Sequence, residues 1–212
     1  MSKQFSKISV VGLGYVGLPL SLQFARSGVS VLGFDLDAGK VNSINSGKTY
    51  LKHFTSASIA EQVDANRFEA TADPSRLIEV EAILICVPTP LNDHREPDLS
   101  YVLTTAQTIA PYLSKGVLLT LESTTYPGTT EDELRVALEE GSGMKAGVDF
   151  HLAYSPERED PGREDASVKT IPKVVGGYTL NCGDIAEALY GQALDQIHRV
   201  SSCRAAEATK LL

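Results

Sequence analysis

Apolar runs and helical periodicities alternate along this chain from one end to the other. Residues 8–11 are a short apolar strand that runs into Gly12-Leu13-Gly14-Tyr15-Val16-Gly17. The stretch LPLSLQFARSG then has helical character, with Gly28 as its C-cap. VSVLGFD follows as a second buried strand ending in Asp35. Asp37 caps a predicted helix to about Asn45, KTYLKHFT is a loop, 57–63 is helical and FEAT is a short strand. The run 81–87 is continuously apolar after its first residue, the mark of a strand buried on both faces, and Pro88 and Pro90 end it. Beyond it the pattern predicts a helix over 99–113, a strand at VLLTLES and a helix over 131–140 with Thr130 as N-cap. It then gives a strand at FHLAYSP, an extended PKVVGG, a helix over 182–194, a strand at QIHRV and a helix from 205 to 212. Strand and helix alternate without repeats, so the expected fold is α/β: a doubly wound, Rossmann-type, mainly parallel sheet.

Composition narrows the function. The 212 residues are 42% apolar and 22% charged, which allows one large domain or two small ones with a sizeable core. No run reaches the ~18 apolar residues of a membrane span, and the N-terminus has no signal-peptide pattern. A net charge of −8 argues against nucleic acid as a partner. Cys86, Cys182 and Cys203 form no CxxC, and an odd count argues against a disulfide framework. The four histidines are scattered, so no metal is expected. These features together predict a cytoplasmic protein with neither a nucleic-acid nor a membrane partner.

The glycine turn carries the candidate chemistry. It follows a strand and opens a helix, and Asp35 ends the next strand 23 residues after Gly12, near the ~20 expected of a dinucleotide fingerprint. Gly12 permits the tight turn, Gly14 admits a pyrophosphate, and Gly17 lets the helix pack on the strand. The amides near Tyr15 and Val16 face the anion at the positive helix end. Asp35 accepts hydrogen bonds from the adenosine ribose and repels a 2′-phosphate, so the expected cofactor is NAD and not NADP.

VVGLGYVGLPL, FDLDAGKV, VPTPLND, LESTTYPGTT, YSPEREDPG, IPKVVGG and AEATKLL occur in one order along the chain. In this the sequence resembles the UDP-glucose/GDP-mannose 6-dehydrogenase family over essentially its whole length. The PEREDPG form and the KTYLKHF loop look most like the UDP-N-acetylhexosamine branch. The resemblance implies oxidation of the C6 alcohol of a UDP-sugar to the uronate with two NAD⁺, through a cysteine thioester, for surface polysaccharide. Carried onto this chain, it places Asp35, Lys40 and Thr89 at the cofactor. It places Thr124 near the nicotinamide and a positioned water, Glu157 in proton transfer or thioester hydrolysis, Arg158 at substrate or phosphate, and Lys210 as the catalytic lysine that also meets substrate. The family's second carboxylate falls on Pro161, with Glu159 and Asp160 as substitutes. Its nucleophilic cysteine matches none of the three present.

The expected division is an NAD-binding domain over 1–200 and the truncated start of a central connecting helix over 201–212. The remainder of that helix, through which the full protein would form a homodimer, and a UDP-binding half would follow. On this reading the 212 residues alone bind NAD without turnover. Two other readings are a UDP-glucose or 6-phosphogluconate/hydroxyacid-type dehydrogenase, and a non-catalytic NAD-binding module.

Overall fold

The computed structural model describes residues 3–52, 54–91, 97–157 and 171–210. Eight strands form one sheet: β1 Lys7–Val11, β2 Ser30–Phe34, β3 Phe68–Thr71, β4 Ala82–Ile85, β5 Leu118–Leu121, β6 His151–Tyr154, β7 Lys173–Gly177 and β8 Ile197–Val200. Their order is β3-β2-β1-β4-β5-β6-β7-β8. The first six are parallel, β7 runs antiparallel to β6, and β8 runs parallel to β7. This is the doubly wound sheet that the sequence predicts.

Alternation along each strand builds two layers. Ile8 and Val10 of β1, Ala82 and Leu84 of β4, and Leu118 of β5 enter one apolar core. Val11, Ile83, Ile85, Leu119 and Leu121 enter the other. Helices α1 Gly17–Arg26 and α6 Leu180–Tyr190 cover the first face, and α4 Ser100–Ile109 covers the second. Continuous apolar runs in the sequence therefore record burial on both faces.

Helices α2 Ala38–Asn45 and α3 Ser56–Asp64 lie in the β2–β3 connection. The Asp37 carboxylate caps α2, accepting from Gly39 N and Lys40 N. Helix α4 stops before the predicted 113 because Pro111 lacks the N–H that would continue the ladder, and Ala110–Tyr112 closes as a 3₁₀ turn. A further 3₁₀ segment, Pro74–Glu79, has no counterpart in the sequence reading.

Thr130 is not the N-cap that the sequence predicts. A π turn over Thr129–Leu134 precedes α5 Arg135–Ser142, and Thr130 lies inside that turn. The cap comes from across the fold, from Glu207 in α7 Cys203–Ala208. Its carboxylate accepts from Gly128 N at 2.5 Å, from Thr130 N at 2.9 Å and from the Thr130 hydroxyl at 2.7 Å. Glu207 is fully buried, and burial pushes its carboxyl above the ordinary range despite these donors. Arg204 adds bonds to Glu131 at 3.1 Å and Asp132 at 2.6 Å. These contacts tie the last described helix to the turn after β5. Among the described residues no helix is long and apolar enough to cross a membrane.

Replacing Glu207 with Ala removes the acceptor of two backbone amides in a buried site. The expected loss is about 2–4 kcal/mol in urea unfolding of the 212-residue chain. A loss below about 0.5 kcal/mol would show that the cap carries no stability.

Candidate active site

A cleft of about 940 Å³ opens at the C-terminal ends of β1, β2, β4 and β5. That edge, where the chain reverses its direction of winding around β1, is where doubly wound sheets bind ligands. The volume lies toward the upper end of the range for small-molecule sites. The parallel ladder runs one residue past the strands. Gly12 N donates to Phe34 O and Cys86 N to Val11 O, each at 2.8 Å. The turns after β1, β2 and β4 are thereby fixed side by side.

The three glycines do different work. Gly12 has φ +90°, and a Cβ there would meet Cys86 O at 2.9 Å. A Cβ on Gly17 would lie 1.9 Å from Gly12 O, so only glycine lets α1 start this close to the turn. Gly14 is the opposite case, because a Cβ there would meet nothing within 4 Å. Gly12, Gly14, Tyr15 and Val16 line the cleft, whereas Gly17 packs behind it. The first helical bond of this segment runs from Leu18 N to Gly14 O at 3.1 Å. The amides ahead of it belong to a first turn that has no intrahelical acceptors. An open wall at Gly14 beside a helix N-terminus fits a pyrophosphate.

Asp35 and Lys40 both line the cleft and pair with each other. Asp35 Oδ2 accepts from Lys40 Nζ at 2.9 Å and from Leu13 N at 2.8 Å, while Oδ1 accepts from Asp37 N at 2.9 Å. The Tyr50 hydroxyl donates to Leu13 O, so the peptide groups before and after Leu13 are each held by a side chain. Burial, reinforced by the Asp35 and Asp37 charges, keeps the Tyr50 phenol well above its ordinary pKa and hence a donor.

At the far end of the cleft the turns after β4 and β5 are laced together. The Thr89 hydroxyl donates to Thr124 O at 2.7 Å, and the Ser123 hydroxyl to Val87 O at 2.6 Å. Glu157 enters from the end of β6, its amide donating to Glu122 O at 3.4 Å. Lys210, in the turn just past α7, donates through Nζ to the Glu157 carbonyl. Thr89, Thr124 and Glu157 line the cleft, and Lys210 meets them through Glu157. Arg158, Glu159 and Asp160 lie outside the described residues, as do His53 and His94.

Three functional-looking residues escape the sequence reading. Glu122 is fully buried, with Lys173 and Tyr190 both donating to its carboxylate. The available signal was a charged residue closing the apolar run VLLTLES, and a lysine opening another at KVVGG. Cys86, Cys182 and Cys203 are all buried, and burial pushes the Cys203 thiol up, against thiolate formation.

The NAD-binding domain model of the UDP-glucose/GDP-mannose dehydrogenase family matches residues 6–194. Among curated relatives, the UDP-N-acetyl-D-glucosamine 6-dehydrogenase of Pseudomonas aeruginosa is 35% identical over 207 residues, 97% of this chain and 48% of that protein. The UDP-N-acetyl-D-mannosamine dehydrogenase of Escherichia coli K12 is 37% identical over 214 residues, 98% of this chain and 50% of that protein. The solved NDP-N-acetyl-D-galactosaminuronic acid dehydrogenase of Methanosarcina mazei superposes with a TM-score of 0.90 at 36% identity, covering 97% of this chain and 46% of that one. The chain thus spans about half the length of these relatives. With the fingerprint turn, the doubly wound sheet and these matches together, the chain belongs to the UDP-glucose/GDP-mannose dehydrogenase family and carries its NAD-binding domain.

Proposed function

We propose that the protein oxidises the C6 alcohol of a UDP-N-acetylhexosamine to the uronate, and that these 212 residues supply the NAD site and one wall of the active site. The observation that supports this is that Thr124 and Glu157, from separate chain segments, line one cleft with Asp35, while Lys210 from a third segment bonds the Glu157 carbonyl. Bound NAD⁺ supplies the hydride acceptor, two per sugar oxidised.

Gly12, Gly14, Tyr15 and Val16 hold the pyrophosphate by backbone amides and the helix dipole. Asp35 and Lys40 hold the adenosine ribose, and the Asp35 charge disfavours a 2′-phosphate. Thr89 and Thr124 shape the nicotinamide end, Thr124 also orienting a water. Lys210 swings its ammonium from the Glu157 carbonyl to an alkoxide or oxyanion on the sugar carbon. Glu157 moves protons and activates water for hydrolysis, and Arg158 binds substrate beside it. Residues 1–200 form the NAD-binding domain, and 201–212 start a central helix that joins it to a UDP-binding half and pairs two subunits. The thioester cysteine belongs to that second half, so the 212-residue chain binds NAD without turnover, in the cytoplasm.

Calorimetry on the 212-residue chain is expected to show NAD⁺ binding at least about tenfold tighter than NADP⁺, a difference of ~1.4 kcal/mol. Equal or reversed affinities would remove Asp35 from cofactor choice. Gly14→Ala should unfold within about 1 kcal/mol of the parent chain yet bind NAD⁺ at least tenfold more weakly, because the new methyl takes space the pyrophosphate needs. Gly17→Ala should lose about 2–4 kcal/mol of stability through the clash with Gly12 O. Matching behaviour of the two variants would refute the division of labour. In the full reading frame, NADH release is expected with UDP-GlcNAc or UDP-ManNAc, and Lys210→Ala should lower kcat by about 10²–10⁴. No NADH release with any UDP-sugar would reject the functional reading.

A further inference from the structure

Behind the far end of the cleft sits a buried charge cluster to which the functional reading gives no role. Glu122 closes β5 and is fully buried, and Lys173 opens β7 with a side chain only 7% exposed. Lys173 Nζ donates to Glu122 Oε2 and, at 3.3 Å, to Pro156 O, and lies 3.7 Å from Glu157 Oε2. Tyr190, at the end of α6, donates its hydroxyl to Glu122 Oε1, and its ring centroid lies 5.5 Å from Lys173 Nζ. The ammonium thus makes two hydrogen bonds, to Glu122 and to Pro156 O, and an ion-pair contact with Glu157, so two of these three partners lie on the Pro156–Glu157 segment.

Such a cluster is a poor stability device. Taking two charges out of water costs several kcal/mol per ion, and apolar replacements of buried ion pairs are often neutral or stabilising. Here Glu122 and Glu157 also line the cleft, so the cluster forms part of the wall of the site. Burial works against the Lys173 ammonium, yet the Glu122 and Glu157 charges outweigh it and hold its pKa above the ordinary lysine value. Burial and the Glu122 charge raise the Tyr190 phenol well above its ordinary value, so it stays a donor. The group thus presents a fixed cation to the Glu157 carboxylate from beneath, while Lys210 grips the Glu157 carbonyl.

We propose that Lys173 is a positioning residue that fixes the Glu157 carboxylate at the reacting end of the cleft, and that Glu122 and Tyr190 fix Lys173. This rests on the role given to Glu157 in the functional reading above. Lys173 itself is covered and touches no substrate. Its effect runs through the orientation of Glu157, as outer-shell partners orient the groups that do chemistry.

The test uses the full reading frame with UDP-GlcNAc or UDP-ManNAc, whichever it turns over, and calorimetric NAD⁺ binding as the measure of an intact fold. Lys173→Met is expected to lower kcat by about 10–100-fold, with sugar KM and NAD⁺ Kd within about threefold. Lys173→Arg, which keeps the charge, is expected to recover most of that loss. Unchanged kcat in a Lys173→Met protein that binds NAD⁺ normally would overturn the proposal, as would a Lys173→Arg enzyme as slow as Lys173→Met. If Lys173→Met loses NAD⁺ binding, Tyr190→Phe decides. It removes one hydrogen bond to Glu122, and a fall in kcat of about fivefold at unchanged NAD⁺ affinity supports the proposal, while an unchanged kcat overturns it. Wild-type protein inactive on every UDP-sugar overturns the functional reading and this inference together. Wild-type turnover with an indifferent Lys173 overturns the inference alone.

Discussion

The close approach of two backbones at Gly12 and Gly17 governs the site. With 1.9 Å between a notional Gly17 Cβ and Gly12 O, any side chain there would push α1 away from β1. Once α1 is seated, its N-terminus points along the sheet edge, and Gly14 is left facing open space. Asp35 and Tyr50 then hold the two peptide groups that flank Leu13, one through its N–H and the other through its carbonyl. A steric constraint on two glycines thus leaves an open helix N-terminus at the cleft, in a turn with no charged side chain of its own.

The opposite end of the cleft is held by long-range polar contacts. Glu207 reaches from α7 to the amides of Gly128 and Thr130, which fixes the turn after β5 and places Lys210 near Glu157. Lys173 and Glu122 stiffen the same region from within the sheet. The half of the cleft at the glycine turn is shaped by packing and main-chain geometry. The half at Glu157 is shaped by the buried Glu122 and Glu207 carboxylates and the buried Lys173 ammonium, whose desolvation is costly.

Much of this was legible in the sequence for one reason: strands buried on both faces leave continuous apolar runs, and the glycine turn between two of them has few other uses. Asp35 and the Asp37 cap follow from local spacing alone, whereas Lys40 comes from the resemblance. The cap on Thr130 and the end of α4 were misread. In the first, the true capping group comes from 77 residues away. In the second, Pro111 was outweighed by the apolar period around it. The Glu122–Lys173–Tyr190 cluster was invisible because its members are separated by 51 and 68 positions and each reads singly as an ordinary strand or helix residue. Glu157 and Lys210 were named from resemblance, but their contact across 53 positions is a property of the fold.

In the proposed function the turn after β1 and the strand ends facing it form the NAD site. Titrating the ¹⁵N-labelled 212-residue chain with NAD⁺ and following each backbone amide tests it most directly. The largest shifts are expected at Gly12, Gly14, Tyr15, Val16 and Asp35, with smaller ones at Thr89 and Thr124. Saturable shifts confined to the β7–β8 edge, with the glycine turn unmoved, would contradict it.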